Sequence, residues 1–261
     1  MTFEDFALKV LIEDLGLEAE KIDEEDQETP DFIALDENDV MFIELKEKDS
    51  SEDYLREREE AFNSGELYSS TSSLKNCKNV SNVVKKANRQ IDSLASGSEF
   101  RIVWLHAKGP EKEALLDKFI CSLYGKADIY DLEKGRRQNK ECYYFDYSDF
   151  FKYRSSLDGA ILSKNQQMIL ALNDGSPRYD SFKKSSFVKG FSDYTVIDPP
   201  VWEKEKRIWI ADCDISRKDS DALLAYLSEK YTLGKPTRIE MQQCMVEFSM
   251  PHNESNKPEK S

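Results

Sequence analysis

Thr29-Pro30-Asp31-Phe32-Ile33-Ala34-Leu35, a short acidic turn, and Val40-Met41-Phe42-Ile43-Glu44-Leu45-Lys46 decide how this chain is read. Both flanks are rich in β-branched, aromatic and aliphatic residues, and Pro30 stands at the start of the first, where a missing N–H is tolerated. Asp36-Glu37-Asn38-Asp39 supplies the turn between them, so a two-stranded hairpin is expected. Closing it symmetrically about the Glu37–Asn38 bond sets Asp31 across from Glu44, with Cβ atoms roughly 5 Å apart. Lys46, two residues beyond Glu44, shares their face. Opposed carboxylates repel unless something positive lies between them. A divalent cation meets that need, and Lys46 is close enough to act on a water the cation binds.

Pro30-Asp31, a spacer of 12 residues, and Glu44-Leu45-Lys46 together resemble the signature of the PD-(D/E)xK nuclease superfamily, in particular its resolvase-like and Mrr-like members. The resemblance runs about as far as His106. It implies a restriction-endonuclease-like fold, a central mixed sheet flanked by helices, in the order helix, strand, Asp-bearing strand, Glu-x-Lys strand, helix, strand. It also implies a nuclease that hydrolyses phosphodiester bonds in DNA with Mg²⁺ (or Mn²⁺). Asp31 and Glu44 then hold the metal and Lys46 orients or deprotonates the attacking water. Glu4, on an opening helix that ends Leu15-Gly16-Leu17, resembles the glutamate that helps bind metal in those members; its other reading is a complement to the helix dipole.

Composition sets the bounds. The 261 residues, 39% hydrophobic and 34% charged, suit a globular chain with a substantial core. The acidic start, Met1-Thr2-Phe3-Glu4-Asp5, and the lack of a long apolar run lead to the expectation of a cytoplasmic protein with no membrane segment. Five cysteines without Cys-x-x-Cys spacing and two distant histidines argue against structural zinc and a disulfide framework. The net charge of −14 weighs against nucleic-acid binding. However, residues 1–66 hold 24 acids against 6 bases, whereas the remainder holds 27 against 31. A phosphate-binding surface therefore has to be assembled beyond residue 66.

Apolar residues at 3, 6, 7, 10, 11 and 15 predict a helix capped by Thr2 and stopped by Gly16. Residues 18–28 are almost wholly polar, so the family's first strand is expected to be short, degenerate or replaced by loop. Ser51–Phe62 reads as a charged helix and Ser64–Ser73, with five serines, as a flexible loop, either a lid that a bound substrate orders in a nuclease or simple disorder. Val80–Leu94 is amphipathic; the resemblance implies a polar Gln or Lys on this helix, and Gln90 and Lys86, four apart on one face, are placed for phosphate or leaving-group contact, the other reading being a charged helix that is simply solvated. Lys85, Lys86 and Arg89, with Lys75 and Lys78, form the best basic patch. Phe100–His106 reads as a buried strand.

Beyond this nuclease-like core, residues 1–133, the sequence predicts an α/β extension over 134–250 and a disordered tail over 251–261. Expected elements are a helix over Glu111–Tyr124, a strand over Ala127–Leu132, a basic linker over Lys134–Lys140 and a hairpin around Lys164-Asn165-Gln166. A long strand over Arg207–Ile215, a helix over Ser220–Tyr231 and a last strand near Arg238–Phe248 complete it. Asp212 and Asp214 on the long strand weakly resemble a Toprim metal site; as strand-end aspartates they cap the next turn. Cleavage of a duplex by one site per chain favours a homodimer. The rival of another class is a catalytically silent interaction protein that offers its acidic N-terminal surface to a basic protein partner.

Overall fold

The structure, a computed structural model, describes residues 2–23, 29–36, 38–73, 77–133, 138–240 and 242–248. Lys75, residues 134–137 of the expected linker and the expected tail lie outside the described residues. Thr2 caps α1 (Phe3–Lys9): its hydroxyl accepts from the Asp5 N–H, and the Asp5 carboxylate accepts from the Thr2 N–H. The helix widens into a π-helical turn, Val10–Asp14, and stops at Gly16, whose φ of +68° suits glycine. The polar interval that follows contains β1 (Glu18–Lys21), a short edge strand of mostly exposed side chains. Its charges discourage further pairing at that edge.

β2 (Phe32–Leu35) and β3 (Val40–Lys48) form the expected hairpin, pairing Phe32 with Ile43 and Leu35 with Val40. α2 (Glu52–Asn63) is the charged helix, capped by Ser51. The stretch expected to be flexible instead contains β4 (Tyr68–Ser73). Next come α3 (Lys78–Leu94), β5 (Phe100–Ala107), α4 (Lys112–Tyr124), β6 (Ala127–Asp131), β7 (Gln138–Tyr143) and α5 (Asp149–Lys152). β8 (Gly159–Lys164) and β9 (Gln167–Leu172) close a hairpin at Asn165-Gln166, with Asn165 at φ +50°. Then follow α6 (Tyr179–Lys184), α7 (Ser186–Lys189), β10 (Val196–Ile197), α8 (Pro199–Lys204) and β11 (Trp209–Ile210). The chain finishes with α9 (Ser220–Tyr231), β12 (Pro236–Ile239) and β13 (Gln242–Glu247).

The fold is mixed α/β around a seven-stranded mixed sheet of order β1-β2-β3-β5-β8-β9-β10. β5, at its centre, is buried along its whole length. Alternation along the strands divides the core. Phe42, Val103, Leu105 and Leu162 face α3 and α4, whereas Met41, Ile43, Trp104 and Ile161 face α1, α6 and α7. A smaller sheet, β11-β7-β6-β12, packs with α9 around Ile129, Trp209, Leu223 and Leu227. β4 and β13 form a two-stranded ribbon.

Three further expectations are corrected. The central sheet crosses the boundary drawn at residue 133, because β8, β9 and β10 add to β5 and extend the same hydrophobic core. The long strand over Arg207–Ile215 is only two residues of ladder, Trp209–Ile210, after which Arg217 draws the carbonyls of Ala211, Cys213 and Ile215 onto its guanidinium. The last strand is two strands in different sheets, β12 and β13.

Candidate active site

β3 is nine residues long and β2 only four, so the ladder between them ends at Ile43. Beyond it the Glu44–Lys48 edge of β3 has no neighbouring strand on that side among the described residues. Main-chain groups left bare at an edge need partners, and Asp31, one residue before β2, supplies one. Its carboxylate accepts from the Leu45 N–H at 2.6 Å, while its own N–H donates to Glu44 Oε2 at 3.1 Å. Asp31 and Glu44 are thus neighbours across the hairpin, and Lys46 Nζ is ion-paired with Glu44 Oε1.

Glu44 is fully buried and Lys46 largely so. Burial pushes the Glu44 carboxyl up to about 8, opposed by the Lys46 hydrogen bond and reinforced by the charge of Asp31. Asp31 is also raised by burial, partly offset by the Leu45 N–H and Lys46. Two carboxylates that resist ionising together are a site where a cation would be stabilising. Asp31 and Lys46 line a cleft of about 320 Å³ with Thr2, Phe3, Glu4 and Glu47. The start of α1 therefore brings Glu4 to the same opening, where its carboxylate meets Lys21 at 2.5 Å.

α3 braces the hairpin from the other side. Gln90 Nε2 donates to the Thr29 carbonyl at 3.3 Å, holding the segment that leads through Pro30 to Asp31. Gln90 Oε1 and Thr29 Oγ1 are buried without a hydrogen-bond partner, polar atoms that a hydrated ligand would satisfy. Lys85, Lys86 and Arg89 are exposed on the same helix.

Among the described residues no three His, Cys, Asp or Glu side chains group around one point suited to a metal ion. Mg²⁺ asks for less: it is commonly held by one or two carboxylates and keeps several waters. Asp31 and Glu44 fit that demand, with Glu4 across the cleft. Asp212 and Asp214 do not form the expected strand pair. Asp212 accepts from Lys230 at 2.6 Å and from Tyr226 at 2.7 Å, which also holds its carboxyl below the usual range against the pull of burial.

Sequence reasoning missed Glu47, whose approach to the cleft depends on where β2 stops. It also missed the buried chain in which Ser163 Oγ accepts from Trp104 Nε1 at 2.8 Å and contacts His106 Nδ1 at 2.8 Å. Trp104 and His106 share one face of a readable strand, but Ser163 comes from a neighbour assigned elsewhere. Compared with family models, curated proteins and solved structures, the chain matches none. No helix among the described residues is long and apolar enough to cross a membrane.

Proposed function

We propose that this chain is a metal-dependent nuclease of restriction-endonuclease-like fold that hydrolyses phosphodiester bonds in DNA. The observation that carries the reading is the reciprocal pairing of Asp31 and Glu44 at the bare edge of β3, with Lys46 on the Glu44 carboxylate. Asp31 and Glu44, joined by Glu4, are the groups to hold Mg²⁺ or Mn²⁺. The cation supplies an acidified water and offsets negative charge on the phosphoryl oxygens. Lys46 orients or deprotonates the attacking water, a task suited to a largely buried amine beside the cleft. Gln90 keeps Asp31 in place through Thr29, and Lys85, Lys86 and Arg89 attract the phosphate backbone without reading sequence.

The test is incubation of purified protein with supercoiled plasmid, in Mg²⁺ and in chelator, beside Asp31→Asn. Nicking or degradation by the wild type in Mg²⁺ alone is expected. An intact plasmid in every lane would overturn the reading.

A catalytically silent interaction protein is the second reading, and one observation favours it. Lysines already neutralise the acidic groups, Lys46 on Glu44 and Lys21 on Glu4, so the hairpin is tenable without metal. Residues 1–66, with 24 acids against 6 bases, would then face a basic protein partner.

A further inference from the structure

Another cleft, of about 670 Å³, opens where the start of α3, the turn of α5 and the segment after β11 meet. Ser81, Tyr147, Asp149, Lys152 and Arg217 line it. Asp149, at its floor, is 4% exposed and accepts from the Ser81 hydroxyl at 2.8 Å. The wall is built rather than loose. The Arg217 guanidinium donates to the carbonyls of Ala211, Cys213 and Ile215, each at 2.9 Å, and lies 5.3 Å from the Phe151 ring centroid. Tyr147 is a large aromatic at the rim, 56% exposed.

α3 connects this cleft to the hairpin. Ser81 lines the cleft and Gln90 touches Thr29 beside Asp31; nine residues of helix separate them by about 13.5 Å. That rise matches about four nucleotides of stacked strand at 3.4 Å each. Nine residues are also about two and a half turns, so the two side chains flank opposite sides of one exposed face. Lys85, Lys86 and Arg89 occupy the face between them.

We propose that the cleft takes an unpaired nucleobase of the DNA strand whose backbone reaches the Asp31–Glu44 hairpin. The base stacks on Tyr147 and donates an edge N–H to Asp149, while the α3 cations meet the intervening phosphates. Stacking on an aromatic face tolerates any base, and a nearly buried carboxylate asks for a donor that solvent cannot readily provide. Base-pairing would occupy the edge that Asp149 needs. The substrate class is therefore DNA with a single-stranded segment a few nucleotides from the scissile bond. This inference rests on the nuclease reading above for its second anchor.

The experiment measures fluorescence anisotropy of a short labelled oligodeoxycytidine, and of the same oligomer with abasic residues, in chelator so that nothing is cut. Wild type should bind the base-bearing oligomer about tenfold tighter. Tyr147→Ala should bring the two affinities together, Tyr147→Phe should retain the difference, and Lys85→Ala with Lys86→Ala should weaken both oligomers alike. Tyr147 is a rim residue, so its replacement leaves the core intact. Equal binding of the two oligomers by the wild type, or undiminished discrimination in Tyr147→Ala, would overturn the inference. Plasmid cleavage without discrimination leaves the nuclease reading standing and refutes this one; discrimination without cleavage refutes the nuclease reading and keeps only the base in the cleft, without its second anchor.

Discussion

Asp31 and Glu44 hold each other through the main chain: the Asp31 N–H donates to Glu44 Oε2 at 3.1 Å, and the Asp31 carboxylate closes on the very next amide, that of Leu45. The pair is fixed before any cation arrives. Its neutral isosteres should therefore fold well. Asp31→Asn and Glu44→Gln are expected to melt at or above the wild-type temperature without metal, because burial disfavours the ionised form of both carboxyls. Only the wild type should gain with Mg²⁺ or Mn²⁺, by about 2.7 kcal/mol when the ion is at a hundred times its Kd. Differential scanning fluorimetry across a metal titration reads this directly. Equal gains in all three proteins would put the ion elsewhere.

Lys46 separates chemistry from binding. Its amine sits on the Glu44 carboxylate at the cleft and is the group assigned to the attacking water. Lys46→Ala should abolish plasmid cleavage while DNA affinity, measured in chelator, stays within a few-fold. A variant that still cuts at the wild-type rate would remove Lys46 from the reaction.

The cations of α3 make the opposite case. Replacing Lys85, Lys86 and Arg89 with alanine should weaken binding to every sequence. It should also flatten the log–log salt dependence by about 0.9 for each phosphate no longer neutralised. An acidic chain has few basic residues to spare, so an unchanged slope would mean that the strand does not follow this helix.

Asp149 predicts a pH effect away from the hairpin. Burial pushes its carboxyl from 3.8 to about 6, against the Ser81 hydrogen bond and nearby Lys152. Between about pH 4 and 6 the unfolded chain gives up this proton while the folded chain keeps it, so stability falls as pH rises and levels off above 6. Asp149→Asn removes that slope, worth at most about 3 kcal/mol. Asp174, also raised to about 6, is present in both proteins and cancels. A melting-temperature difference between them that does not change with pH would refute the assignment.

Where the chain's own local pattern decided structure, it was readable. Apolar runs on either side of an acidic turn, closed symmetrically, were enough for β2, β3 and their register, and α9 falls on the helix expected over Ser220–Tyr231. The Asp31, Glu44 and Lys46 neighbourhood follows from that register alone. Other elements depend on distant partners. β4 is a run of serines that becomes a strand because β13 pairs with it. Trp209 and Ile210 begin an apolar run that looks like a long strand, yet Arg217 diverts three of its carbonyls. The cleft at Asp149 was not readable because Ser81, Tyr147 and Arg217 converge on it from separate stretches.

The β4–β13 ribbon also sets an order of events at the ribosome. Glu247 accepts hydrogen bonds from Tyr54 and Arg58 of α2, the helix that directly follows the strand carrying Glu44 and Lys46. Those partners are separated by 193 and 189 residues. At the usual pace of synthesis, roughly 5–20 residues per second, α2 waits about 10–40 seconds for its anchor. A nascent chain halted before Gln242 would therefore carry a finished acidic hairpin beside an unfastened helix.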